Sequence, residues 1–165
     1  MICRMLTIDD AEALFVLMNQ LDQETEYMMY EPGERVQKSG PDRLRENIQR
    51  GSENGDFMMA AVEDHKIVGF LWAERGAYRR IAHTAYLVTG ILKAYHGQGI
   101  GSELFRQLSR WAEQEKILRL ELTVQCRNEV ALHLYQKMGF QIEGVKKNSM
   151  VVNGEFVDEY YMART

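Results

Sequence analysis

The chain has 165 residues, 45% hydrophobic and 27% charged, and a net charge of −4, the size and make-up of one soluble globular domain with a real core. No apolar run approaches the ~20 residues of a membrane span, "MICRMLTIDD" lacks a signal peptide's apolar stretch, and the acidic balance speaks against nucleic acid, which draws a basic face. Cys3 and Cys126 form no CxxC pair, which argues against a disulfide framework or a zinc site; a cytoplasmic protein without a metal is expected.

In chain order, "ICRMLTI" reads as a short strand. Thr7 or Asp9 can cap the helix "DAEALFVLMNQL", where Ala11, Leu14, Phe15, Met18 and Leu21 keep helical spacing. "LDQETEYMMYEPGE" reads as a loop. After Gly40-Pro41, "DRLRENIQR" is predicted to be a helix ending near Gly51. "DFMMAAVED" and "KIVGFLWAER" form a hairpin around Asp64-His65, and "AHTAYLVTGIL" is a further strand. Behind the glycines of "AYHGQGIGSELF", Ile100, Leu104, Leu108 and Trp111 make one stripe, flanked by Phe105 and Ala112. "ILRLELTV" is predicted to be a buried strand, through the alternation Leu118, Leu120, Leu122, Val124. "NEVALHLYQKM" is a helix stopped by Gly139. Asn153-Gly154 joins two closing strands, "FQIEGVKKNSMVV" and "EFVDEYYMA". The order β-α-α-β-β-β-α-β-α-β-β, with hairpins flanking a βαβ unit, predicts one α/β domain: a mixed sheet of about seven strands with helices on both faces.

Charge is unevenly spread. From Met5 to Glu34 there is no Lys or Arg, yet Asp9, Asp10, Glu12, Asp22, Glu24, Glu26, Glu31 and Glu34 fall there. The first three suit the positive end of a helix; the rest crowd the loop-like segment.

Gly97, Gly99 and Gly101 precede a helix, and a glycine-rich helix start is a ready anion site because its first amides have no partner and the dipole is positive there. No Lys follows them, so a P-loop does not fit. A dinucleotide G-x-G-x-x-G would put its third glycine at Ser102 or Leu104; Glu121, about twenty residues on, keeps that alternative open. The third anion is the pyrophosphate of coenzyme A. Here His96-Gly97-Gln98-Gly99-Ile100-Gly101 resembles the [Q/R]-x-x-G-x-[G/A] motif of the GNAT superfamily of acyl-CoA-dependent N-acyltransferases, with His96 at the Gln/Arg position. One strand later "RNEVALHLYQKMGF" resembles that family's N-x-x-A-x-x-L-Y-x-x-x-G-F signature through Asn128, Ala131, Leu134, Tyr135, Gly139 and Phe140. The resemblance covers residues 57–163. The closing stretch, from Asn153-Gly154 to Asp158 and Met162, is similar to the branch containing polyamine acetyltransferases and those acting on ribosomal-protein N-termini.

The resemblance implies a GNAT-like, mostly antiparallel twisted sheet and an N-acetyltransferase that moves the acetyl group of acetyl-CoA directly to an amine. Amides from Gly97 to Ser102, with Gln98 and Ile100 between the glycines, are expected to face the pyrophosphate, and a side chain at Gly99 or Gly101 to block it. Gly90, inside a strand, marks a bulge or a close neighbour. By resemblance this strand bulges and splays from the next, so that main-chain groups of Thr89, Gly90 and Ile91 bond the coenzyme arm. Asn128 is most simply an N-cap, and by resemblance also touches the arm. Tyr135, seven residues on and on the same helix face, is by resemblance the general acid for the departing thiolate; its other reading is a core aromatic. Some relatives carry a Glu base where this chain has Thr123; Glu121, acting through water, is the candidate here. His83, His96 and His133 are ordinary residues too scattered to hold a metal. Glu24, Glu26, Tyr30 and Glu31 border the expected acceptor region, where carboxylates would select a polyamine or a basic peptide N-terminus. A homodimer is the expected assembly, and the rival function is an acyl-CoA-binding sensor or scaffold without turnover.

Overall fold

A computed structural model describes all 165 residues. Seven strands lie in the order β1-β2-β3-β4-β5-β7-β6. They are β1 (Ile2–Met5), β2 (Phe57–Glu63), β3 (Lys66–Arg75), β4 (Thr84–Ile91), β5 (Arg119–Gln125), β6 (Gln141–Val152) and β7 (Glu155–Arg164). Five helices accompany them: α1 (Ala11–Glu24), α2 (Glu34–Lys38), α3 (Pro41–Asn54), α4 (Ile100–Gln114) and α5 (Glu129–Lys137). Every neighbouring pair is antiparallel except β4 and β5, which α4 joins as a crossover. The mixed sheet, its strand number and its hairpins are as expected. Both predicted two-residue turns have left-handed residues at both positions, Asp64 and His65 (φ 49° and 62°) and Asn153 and Gly154 (φ 52° and 78°), matching the right-handed twist of the strands they join.

Two helical layers cover opposite faces. A Cβ on Gly90 would stand 2.7 Å from Leu21 of α1, and one on Gly51 of α3 would stand 3.0 Å from Trp72. Helices α1 and α3 therefore cover the face that carries Phe70, Trp72 and Gly90. Phe57, paired with Ala73 on the other face, meets Trp111 of α4 with ring centroids 5.6 Å apart. The predicted α4 stripe holds: Ile100, Leu104, Phe105, Leu108 and Ala112 are buried. At the chain start Thr7 caps a short turn over Ile8–Asp10, its N–H donating to Asp10 Oδ2 at 2.8 Å. Asp10 also receives the Arg4 guanidinium at 2.8 and 2.9 Å, which holds its carboxyl below the usual aspartate range.

The structure corrects four local expectations. Helix α3 does not end near Gly51 but continues to Asn54, with Gly55 (φ 80°) as its left-handed stop. Gly51 is internal because Asp56, Met58 and Trp72 leave no room for a side chain there. Leu118 is 69% exposed and precedes β5, because its N–H is spent on His83 O in the turn that leads into the strand. β4 carries no bulge: its register with β3 runs unbroken from Gly69–Ile91 to Arg75–Ala85, and Gly90 is small to admit Leu21. Finally, α1 runs on to Glu24 into the segment read as a loop, and the end of that segment leads into an unpredicted α2, one helical turn fastened from outside. Arg35 Nε and Nη2 reach the two carboxylate oxygens of Asp22, at 2.6 and 3.0 Å, and its guanidinium lies 4.7 Å from the centre of the Tyr30 ring.

Asp22 is fully buried and ends α1's apolar stripe. Removing Arg35 would strand that carboxylate, a loss of about 3–5 kcal/mol for a buried pair broken on one side. R35A is accordingly expected to lower stability by that order in urea unfolding, and D22A/R35A to recover part of it. A double variant no more stable than R35A would show that the pair does not fasten α2.

Candidate active site

The first element of the site is a strand junction. β4 and β5 pair over only three positions, Thr84–Arg119, Ala85–Leu120 and Tyr86–Glu121, and then part. The N–H of Leu92 bonds Val68 O, so by antiparallel alternation the even positions of β4 turn their main chain to β3. The odd positions, Leu87, Thr89 and Ile91, turn theirs to the gap. The same alternation from Cys126 N–H, which bonds Asp158 O, turns Thr123 and Gln125 to the gap from β5. Thr89 and Ile91 thus face the parting, whereas the main chain of Gly90 is spent on β3. The Thr89 hydroxyl donates to Phe70 O at 2.7 Å.

Beyond β4 the chain makes a short turn over Lys93–Tyr95 and enters the glycine loop. Gly97 and Gly99 adopt φ of 74° and 80°, which only glycine takes without strain. This backbone course leaves six successive amides, Gly97, Gln98, Gly99, Ile100, Gly101 and Ser102, without a protein acceptor; the first bond of the helix is Glu103 N–H to Gly99 O. A Cβ on Gly97 or Gly99 would meet nothing within 4 Å, so those two positions are open on the side where a side chain would project. Gly101 differs: its Cβ would stand 2.9 Å from Leu134 of α5, so its smallness serves helix packing. His96 turns back and donates from Nε2 to Ile91 O at 2.9 Å. Gln98 reaches Ala94 O and stays exposed, while Ile100 is buried.

Tyr135 enters from the α4–α5 side, with ring centroids 5.7 Å from Phe105 and 6.1 Å from Phe140. It is both a core aromatic and more, because its hydroxyl has no protein partner and is not sealed from solvent. Burial, together with the nearby Tyr86, pushes its pKa up to about 12, so the phenol holds its proton at neutral pH. Tyr86 rises from the opposite face and bonds Thr123 at 2.8 Å, spanning β4 and β5 one step past their last pair. Asn128 is the N-cap of α5, its Oδ1 accepting the Ala131 N–H at 3.3 Å. Glu121 sits at the last β4–β5 pair, but Arg119 Nε holds it at 2.7 Å, and Arg119 is shared with Glu143. The structure therefore shows it as a strand carboxylate in an ion pair.

The acidic segment is largely consumed from within. Asp22 takes Arg35. Glu24 accepts from Lys93 N–H at 3.0 Å and from Gln20. Glu26 accepts from Arg127 at 3.1 Å and from Asn153 at 2.7 Å, which ties the segment to the β5–α5 loop and the β6–β7 turn. Tyr30 stacks on Arg35, and Glu31 is exposed and donates its N–H to Glu34 Oε1. What adjoins the strand junction is a cavity of about 570 Å³, floored by Phe70, Trp72, Glu74, Tyr86 and Val88 and roofed by α1, α2 and α3. The sequence reading missed these floor residues. The signal was present, since hairpin alternation in "KIVGFLWAER" and "AHTAYLVTGIL" puts Trp72, Glu74, Tyr86 and Val88 on one face.

A helix start with six free amides beside parted parallel strands can hold a diphosphate and an extended amide-bearing chain. Residues 18–140 match the family model for the acetyltransferase (GNAT) family. The chain belongs to the GNAT acetyltransferases. Over 111 residues it is 35% identical to the L-amino acid N-acetyltransferase AaaT of Escherichia coli, covering 67% of this chain and 68% of that one. A GNAT-family acetyltransferase from Streptococcus pneumoniae superposes with a TM-score of 0.90 at 28% identity, over 99% of this chain and 97% of that one. The same fold recurs in yncA of Salmonella typhimurium, a putative acetyltransferase solved with acetyl-CoA, at a TM-score of 0.86 and 16% identity over 99% of this chain and 92% of that one. The protein is thus a GNAT N-acetyltransferase, and the family's acetyl donor is acetyl-CoA.

The different surroundings of Gly99 and Gly101 predict different consequences of adding a methyl group. G99A is expected to lose acetyl-CoA affinity at least tenfold by calorimetry, with only about 1 kcal/mol of stability lost to its positive φ. G101A is expected to lose stability through Leu134. Equal losses of affinity and of stability in both variants would refute the distinction. Tyr135 gives a pH signature. Its folded pKa lies above the unfolded value near ~10, so its contribution is fully present below pH ~10 and declines as the unfolded chain ionises. Relative to Y135F, the native protein is expected to lose up to about 2–3 kcal/mol between pH 10 and 12, read by denaturant unfolding across that range.

Proposed function

We propose that this acetyltransferase transfers acetyl directly from acetyl-CoA to a primary amine of a small molecule or peptide within one ternary complex. The observation that carries this reading is the pairing of the unpartnered Gly97–Ser102 amides with the strand parting beside Tyr135. Those amides would bind the pyrophosphate, with His96 fixing the loop and Gln98, Ile100 and Ser102 contributing only backbone. The gap-facing groups of Thr89 and Ile91 would bond the pantetheine arm; Asn128, its Oδ1 spent on the cap, would offer its amide nitrogen. Acetyl-CoA supplies the activated acyl group. As the new N–C bond forms and the C–S bond breaks, the amine's proton leaves to solvent and Tyr135 protonates the sulfur. The phenol is then restored from solvent. Burial favours neutral Tyr135 before transfer, and the thiolate formed beside it is the charge that draws its proton.

A general acid of this kind contributes roughly 10²–10⁴-fold. Y135F is therefore expected to lower kcat by at least a hundredfold while leaving the acetyl-CoA KM nearly unchanged. Unchanged turnover would remove Tyr135 from the role, and no turnover on any amine, despite stabilisation by acetyl-CoA but not by NAD or ATP, would favour a sensor or scaffold. Glu121 as a base would have to leave Arg119, and E121Q tests that role in the same assay. A polyamine or basic-peptide acceptor draws its support from the acidic segment, and with Asp22, Glu24 and Glu26 engaged that support narrows to Glu31. The relative named as an L-amino acid N-acetyltransferase points to a smaller amine.

A further inference from the structure

The cavity carries charges of both signs, on the helices that roof it and on its sheet floor. Five charged side chains line it: Glu34, Arg35, Lys38, Arg43 and Glu74. Two have partners in the protein. Arg35 is held by Asp22; Glu34 accepts the Glu31 N–H but keeps its charge, so the two cations Lys38 and Arg43 outnumber it on the helical side. Lys38, Arg43 and Glu74 make no ion pair or hydrogen bond with the protein, so their charges face the cavity and solvent. Lys38 ends α2 and Arg43 lies in the first turn of α3, so both cations stand on one lip. The positive end of the 14-residue α3 adds to that lip. Asp42 in the same turn is taken by Arg45 at 2.8 Å.

Glu74 stands on the sheet floor, across from the helices that carry the two cations. By register it lies opposite Tyr86, and Tyr86 lies opposite Glu121 at the last pair before β4 and β5 part. Glu121 is neutralised by Arg119. The carboxylate without a partner is therefore on the sheet floor where the parting begins, beside the place where the acetyl group must be delivered. The lining also includes apolar side chains, among them Phe15, Met18, Trp72 and Val88.

We propose that the acceptor is a small zwitterion, an amine that also carries a carboxylate and an apolar side chain. Its carboxylate binds Lys38 and Arg43, and its ammonium meets Glu74 beside Tyr86. This rests on the acetyltransfer reading and narrows its substrate class. A polyamine placed in the same cavity sets its second ammonium against two unpaired cations, where like charges oppose binding. A zwitterion satisfies charges of both signs at once, and its apolar side chain meets the apolar part of the lining.

The test pairs L-leucine and L-phenylalanine with their primary amides, and adds spermidine. In wild type against K38Q/R43Q, the double substitution is expected to lower kcat/KM at least tenfold for the amino acids, through KM, and to leave the amides within twofold. The wild-type-to-variant ratio is read because an amide's amine is less basic and intrinsically reacts differently. Equal losses for acids and amides, or a higher kcat/KM for spermidine than for either amino acid, overturns the proposal while acetyltransfer stands. Calorimetric binding to the complex with CoA is the readout that needs no turnover. Amino-acid binding that depends on Lys38 and Arg43 supports the zwitterion site even where every amine fails as a substrate, an outcome that would sink acetyltransfer instead. Unfolding curves for K38Q/R43Q matching wild type keep the comparison valid, since both side chains are exposed.

Discussion

Three residue pairs hold the two central parallel strands together, and the site exists because there are only three. Had the pairing continued, the main-chain groups of Leu87, Thr89 and Ile91 would be consumed by β5 and nothing extended could lie between the strands. The parting is tolerable because each strand is secured on its other side. β4 pairs with β3 up to Ile91, and β5 pairs with β7 up to Gln125. The groups left over on both strands face the same gap, where an extended ligand can take up their hydrogen bonds. Two tyrosines reach the opening from opposite faces of the sheet, Tyr135 from α5 and Tyr86 from β4 itself.

Electrostatics in this protein are decided by address more than by composition. The segment from Asp22 to Glu34 contains no cation, but its partners come from elsewhere: Arg35 just beyond it, the Lys93 amide from the β4–α4 connection, and Arg127 and Asn153 from the far end of the chain. Carboxylates that look like a lure for cations are fasteners. They anchor α2 over the cavity and join the first helix to the loop that carries Asn128. The unpaired charges of the cavity come instead from positions with no local excess, Lys38, Arg43 and Glu74, which only tertiary structure brings around one space.

Fold and family were legible because they reside in local signals. Two hairpin turns, the α4 stripe and the two glycine-containing motifs each act within a dozen residues, and they agree with one another. The errors share a physical cause, a neighbour distant in sequence. Gly51 reads as a helix stop until Trp72 and Met58 are seen against it, and Gly90 reads as a bulge until Leu21 fills its place. Leu118 fits an alternation whose buried members begin only at Leu120, because His83 claims its amide in the turn before the strand. Helix α2 has a single turn and no buried residue, too little periodicity to announce itself. The backbone of the loop before α4 could be read from its glycines; the cavity beside the strand parting, assembled from α1, α2, α3, β3 and β4, could not.

His96 shows how a departure from a motif can leave its physics intact. The resemblance places Gln or Arg there, side chains that can reach a ligand. In this chain the imidazole instead donates to Ile91 O, closing the start of the loop onto the end of β4. A carbonyl oxygen only accepts, so Nε2 must carry a proton, a condition met by one neutral tautomer and by the imidazolium alike. The closure therefore survives a change in the ring's charge. It also withdraws from the gap a carbonyl that would otherwise face a ligand, while leaving the Ile91 N–H on that side. The loop loses a polar side chain aimed outward and gains a fixed junction between strand and helix. Amides without protein acceptors at a helix start are what a diphosphate can use, and the His96 bond ties the loop that carries them to the end of β4.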